Sequence, residues 1–178
     1  MVIQRDQYIS ELISKQWNGK VKIVTGIRRC GKSFLLFTLY KNYLLNEGVA
    51  KDCFVELALD KKAHVKYRNP NELYEYVLRK TQNAEKRYYV FIDEIQLSYK
   101  VKSEDVDENL VPEEDRDMLY VTFYDILNDL MARSNLDIYV TGSNSKMLSK
   151  DIVTNFRDRG SEIKVYPLSF KEFYPVSG

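Results

Sequence analysis

The chain carries one histidine and two cysteines, so His64, Cys30 and Cys53 compose neither a zinc-ligand set nor a disulfide framework. Four prolines and seven glycines in 178 residues leave no Pro- or Gly-rich linker, which argues against a multi-domain string. Charge of one sign is missing too. Lys plus Arg number 27 and Asp plus Glu 26, so the whole-chain balance gives no electrostatic reason for binding nucleic acid or a membrane surface, although it leaves a local basic patch open. No apolar run approaches the roughly 20 residues of a membrane span. The opening MVIQRDQYISELISKQW lacks the basic start, apolar centre and cleavage site of a secretory signal. These absences predict a cytoplasmic protein with no membrane partner.

What is present is a 44% hydrophobic chain, enough for one core, so residues 1–178 are read as one domain with an N-terminal helix within 1–20. The ending PLSFKEFYPVSG stops just after a serine-capped helix start, which predicts an excised fragment of a longer protein. Short β-rich runs alternate with helical stretches, the pattern of an α/β fold with a largely parallel sheet. Five strands are predicted: residues 21–25 (VKIVT), 53–59 (CFVELAL), 88–93 (YYVFID), 137–141 (DIYVT) and 162–166 (EIKVY). A helix over 34–46 aligns Leu35, Leu36, Leu39, Tyr43 and Leu44, with Gly48 as terminator. A second begins at Asn69 as cap, Pro70 in the first turn and Glu72 reaching back, and buries Leu73, Tyr76 and Val77. A third spans 121–133 with Phe123, Ile126, Leu127, Leu130 and Met131 on one side. Residues 97–117, rich in Asp and Glu and interrupted by Pro112, show no sustained period and are read as a long acidic loop insertion, either a solvated surface loop or a segment that orders against a partner.

The most specific motif is GIRRCGKS, which fits G-x-x-x-x-G-K-[ST] between a predicted strand and helix. A triphosphate needs a concave surface of backbone N–H groups without Cβ atoms in the way. Gly26 and Gly31 permit that wrap, and the next helix points its positive end at the anion. Lys32 would reach the β- and γ-phosphates, and the Ser33 hydroxyl would meet Mg²⁺. Ile27, Arg28, Arg29, Cys30 and Phe34 complete the nucleotide-binding stretch. Arg28 and Arg29 touch phosphates or a neighbouring subunit, or are solvated charges; Cys30 is a thiol activated by the helix end or a small filler.

A second motif, YYVFIDEIQ, delivers Asp93 and Glu94 at a strand end, where ligands of parallel sheets sit. Phosphoryl transfer to water asks for one carboxylate on the metal, assigned to Asp93, and one to polarise the water, assigned to Glu94. In DIYVTGSNSKM, Asn144 or Ser143 is placed to sense the γ-phosphate, unless these residues cap a following helix. In FRDRG, Arg157 and Arg159 either neutralise transition-state charge or lie exposed in a turn.

Together GIRRCGKS, FIDEIQ, TFYDILN, YVTGSNSKMLSKDI and VYPLSFKEF resemble the AAA-superfamily ATP-binding proteins of bacteria and archaea in which an AAA domain precedes a C-terminal domain of unknown function. That resemblance covers nearly the whole chain. It implies a P-loop NTPase three-layer sandwich whose five-stranded sheet places the sensor strand between the phosphate-loop and DE strands, and it implies that the C-terminal domain is absent here. Lys32, Ser33, Asp93 and Glu94 carry over directly, Asn144 or Ser143 as sensor, and Arg159 as candidate finger. Similar sequences hold a glycine between the two arginines, where this one has Asp158. The expected function is Mg-dependent ATP hydrolysis by a motor or switch, with ATP, ADP and Mg²⁺ as ligands and self-association open. The alternative is a nucleotide-gated binding module that hydrolyses little. No lid or acceptor-site signature supports a small-molecule kinase.

Overall fold

The computed structural model describes residues 3–143, 156, 160–169 and 172. Helix α1 (Asp6–Ser14) leads into strand β1 (Val21–Gly26), and the phosphate loop then enters a helix over 32–46. That helix begins as α2 (Lys32–Phe34), widens to π geometry over Leu35–Tyr40 and ends as α3 (Lys41–Asn46). Strand β2 (Phe54–Ala58), helix α4 (Pro70–Lys80) and strand β3 (Tyr88–Asp93) follow. The chain continues through short β4 (Val101–Lys102) and β5 (Tyr120–Val121), helix α5 (Phe123–Leu130), β6 (Leu136–Ser143) and β7 (Gly160–Lys164).

The main sheet is parallel throughout, in the order β2-β3-β6-β1-β7. β6 therefore lies between the phosphate-loop strand and the DE strand, as the resemblance implies. β1 and β3 are buried along their whole length, because helices cover both faces and each face needs apolar side chains. Period-two alternation divides β3: Tyr88, Val90 and Ile92 pack with Leu73 and Val77 of α4 and Leu127 and Leu130 of α5. Tyr89 and Phe91 face the opposite core, with Leu12 of α1 and Leu35, Leu36 and Tyr40 of the helix after the loop. The result is three layers, with one core on each side of the sheet.

Helix ends follow local chemistry. The Asn69 side chain accepts from Asn71 N at 3.0 Å, as expected of a cap. Glu72 does not reach back, because Asn69 N already donates to Lys66 O at 3.2 Å. Gly48, with φ 91°, closes the helix over 32–46 where a side chain would be strained. The third helix is shorter than its apolar period implied, starting only after Thr122, whose N–H and hydroxyl both donate to Asp125 at 2.8 and 2.7 Å.

Several strand ends shift by one or two residues from expectation, and the acidic segment differs as well. The last strand starts two residues earlier and ends two earlier than predicted, on an edge where burial imposes little pattern. Residues 97–117 are not structureless: β4, inside that span, pairs antiparallel with β5, just after it, and Ser103 N donates to Leu119 O at 2.7 Å. Strands of two residues are too short to show a period. The segment still presents Leu110 to solvent at 81% exposure, and Met118 just after it is 78% exposed.

Near the N-terminal ends of β1 and β6, away from the phosphate loop, Lys22 and Asp137 form an ion pair whose side chains are each 1% exposed. Tyr139 Oη donates to Asp137 at 2.7 Å and shares a 2.8 Å hydrogen bond with Tyr40 Oη. Trp17 N also donates to Asp137, at 3.2 Å, tying the turn after α1 to the sheet. Burial pulls the Lys22 ammonium below its ordinary range, against the opposing pull of Asp137.

Candidate functional site

The phosphate loop leaves β1 at Gly26, where φ is 153°; a Cβ there would sit 2.3 Å from Val165 O and 2.7 Å from Cys30 Sγ. Only glycine fits that passage. Arg29 and Gly31 hold φ 68° and 90°, so the backbone curls back on itself before Leu35 N donates to Gly31 O at 2.8 Å and the helix begins. Lys32 is 4% exposed and its Nζ donates to Gly26 O at 3.1 Å and Ile27 O at 3.0 Å, which places the ammonium inside the concavity. Ile27, Arg28, Arg29 and Phe34 lie exposed around this mouth, and Cys30 is buried beneath it.

The DE strand arrives beside the loop. Ser33 Oγ donates to Asp93 Oδ1 at 2.9 Å across 60 residues of sequence, and Asp93 is 6% exposed. Thr141, at the end of β6, also donates to Asp93 Oδ1 and accepts from Glu94 N at 3.0 Å. Glu94 stands with φ 55°, a left-handed turn that carries its side chain off the strand line, and its carboxylate accepts from Gln96 Nε2. Gln96 Nε2 also donates to Ser143 Oγ at 3.3 Å. The tips of β1, β3 and β6 are thus joined by side chains at one end of the sheet.

Of the residues singled out from sequence, the stretch from Gly26 to Phe34 expected to bind nucleotide, with Asp93, Glu94 and Ser143, converges here. Asn144, Arg157 and Arg159 lie outside the described residues.

Sequence reasoning missed three residues. Thr141 had a visible signal, a polar residue closing the apolar run of a strand, but its partners on β3 depend on the strand order. Gln96 stands two positions past Glu94 and its partners depend on the fold. Arg5 had no signal at all. It is buried, with φ 53°, and its guanidinium donates to Cys30 O of the phosphate loop at 2.8 Å, to Tyr166 O beyond β7 at 2.6 Å and to Glu172 at 3.0 Å. The Ser169 N–H and hydroxyl, with Arg5, hold the Glu172 carboxyl below the usual carboxylate range.

The donor set fits Mg²⁺ and a nucleotide. One carboxylate and one hydroxyl suit an ion that retains water and takes phosphate oxygens for its remaining positions. Gly26 keeps the loop's inner wall free of a Cβ. Among the described residues no helix is long and apolar enough to cross a membrane.

Known proteins place this arrangement. An uncharacterized protein of Haemophilus influenzae is 30% identical over 97% of this chain, and one of Methanocaldococcus jannaschii is 30% identical over 86%. This chain spans 37% and 28% of their respective lengths. Among solved structures, Hsp104 in a closed state with ATPγS and casein superposes with a TM-score of 0.55 at 19% identity, over 94% of this chain and 28% of that one. Drosophila ORC bound to DNA gives 0.52 at 11% identity over 96% of both chains, and C. elegans PCH-2 gives 0.52 at 12% over 89% of this chain and 40% of that one. These similarities show a shared α/β P-loop fold. The AAA domain family profile matches residues 18–174, and the chain belongs to that family of AAA-type P-loop ATPase domains.

Proposed function

We propose that this domain binds Mg-ATP at the phosphate loop and hydrolyses it, serving as a motor or switch for a partner or for a further domain of a longer protein. The observation that carries the reading is the Ser33–Asp93 hydrogen bond, which brings the metal-type hydroxyl and the metal-type carboxylate to the rim of a loop that already holds Lys32. Backbone N–H groups of residues 26–33 would hold the phosphates, Lys32 would neutralise their outer oxygens, and Ser33 and Asp93 would hold Mg²⁺. When bound there, Mg²⁺ would supply charge neutralisation on the phosphate oxygens. Glu94 orients and polarises the attacking water and takes up its proton at the carboxylate, since it is the acid that follows Asp93 in the turn leaving β3.

Asn144 and Arg159 are assigned to γ-phosphate sensing and to charge neutralisation, in the same subunit or a neighbour. Free thiols at Cys30 and Cys53 support a reducing, cytoplasmic setting. The greater length of the relatives, of which this chain spans 37% and 28%, supports a further domain as the receiver of the switch.

The test is turnover with Mg-ATP. Replacing Glu94 by Gln is expected to lower kcat by about 10²-fold or more while nucleotide still binds, because it removes only the general base. Native turnover in that variant would remove Glu94 from the chemistry. The second reading, a nucleotide-gated binding module, draws on the engagement of the Glu94 carboxylate by Gln96. Tight Mg-ATP binding, with turnover in the native chain no faster than in Glu94→Gln, would favour it.

A further inference from the structure

Gln96 is a side chain of the site that no step of the proposed chemistry uses. A carboxylate only accepts hydrogen bonds, so the contact with Glu94 Oε2 fixes the amide orientation, with Nε2 toward Glu94 and Oε1 away from it. The same Nε2 donates to Ser143 Oγ at the tip of β6, 47 residues away in sequence. Oε1 is buried and has no partner among the described residues. Buried amide oxygens are normally paired, so an orphaned one marks a side chain placed for something other than packing. Glu94 is also held from its backbone side: its left-handed φ of 55° is accompanied by the hydrogen bond from its N–H to Thr141 Oγ1, again on β6. Both ends of the Glu94 residue are therefore referenced to the same strand tip, the backbone through Thr141 and the carboxylate through Gln96.

We propose that Gln96 is the positioning residue for Glu94, coupling the direction of the catalytic carboxylate to the tip of β6 through Ser143. The inference rests on the reading of Glu94 as the hydrolytic base. A movement of Ser143 is transmitted to the Glu94 carboxylate by a single side chain whose amide hydrogens serve both partners. Removing the amide leaves Glu94 free to rotate about its side-chain bonds. The cost then falls on the chemical step and spares nucleotide binding, because Lys32, Ser33 and Asp93 keep their own contacts.

The experiment uses the full chain with Mg-ATP, comparing native protein, Gln96→Leu, Gln96→Glu and Glu94→Gln. Gln96→Leu and Gln96→Glu are expected to lower kcat by about 10- to 10²-fold with KM within about twofold of native, the signature of a lost orientation effect. A purely structural role would lower the melting temperature or raise KM and leave kcat alone. A second readout does not depend on turnover: in protein labelled with ¹³C at glutamate side-chain carboxyls, Ser143→Ala is expected to shift the Glu94 resonance in native chain and to leave it unmoved in a Gln96→Leu background.

Native kcat in both Gln96 variants, or a Glu94 resonance that ignores Ser143→Ala in the native chain, overturns the coupling. If Glu94→Gln itself turns over ATP at the native rate, the hydrolytic reading of the site fails and the inference with it. Native kcat in the Gln96 variants alongside a crippled Glu94→Gln refutes the positioning role alone.

Discussion

At the scale of single residues, Gly26 and the Lys22–Asp137 pair are tightly constrained. A methyl group at Gly26 would lie 2.3 Å from a backbone oxygen of Val165, and that oxygen belongs to a segment locked by the bond from Val165 N to Thr25 O at 2.7 Å. Gly26→Ala is therefore expected to abolish Mg-ATP binding and lower the melting temperature, measured on the same preparation; unchanged binding would mean the loop has another stable path. For the buried pair, Asp137→Asn leaves the Lys22 ammonium without its counter-charge, at an expected cost of about 3–5 kcal/mol in urea unfolding. The double change Lys22→Met with Asp137→Leu is expected to cost less than either charge removal, because no orphaned ion remains. The phosphate-loop residues were legible from sequence because a triphosphate restricts both residue type and spacing. Arg5 was not, since its three acceptors come from the loop, from the chain after β7 and from Glu172, and nothing local announces that convergence.

At the scale of elements, boundaries are fixed by hydrogen bonds that propensity does not reveal. The apolar stripe of the third helix pointed to a start at Val121, whereas Asp125 captures the N–H and hydroxyl of Thr122 and sets the start at Phe123. Thr122→Ala is expected to cost about 1 kcal/mol in chemical denaturation, the usual loss for a cap, and no change would show that Asp125 holds the turn alone. Strand β3 was legible to the residue, because a strand buried on both faces must be apolar throughout and must end where Asp93 turns polar. Strand β7 was not, because an edge strand half open to water carries no such pattern. The β4–β5 ribbon escaped for a different reason: two-residue strands are stabilised by their partner and by the bond from Ser103 N to Leu119 O, and sequence pattern needs more length than that.

At the scale of the whole molecule, parallel pairing brings the ends of β1, β3 and β6 to one side, so residues far apart in sequence share a site. Sequence spacing alone announced an alternating α/β chain; the strand order came from resemblance, since any parallel order satisfies the same alternation. The central claim is that residues 26–33 hold a metal-bound nucleoside triphosphate, and the most direct measurement is calorimetry of Mg-ATP binding to the native chain and to Lys32→Ala. The account expects saturable binding by the native chain that the substitution abolishes while the fold, followed by circular dichroism, persists. Equal binding by both proteins, or none by a well-folded native chain, would contradict it.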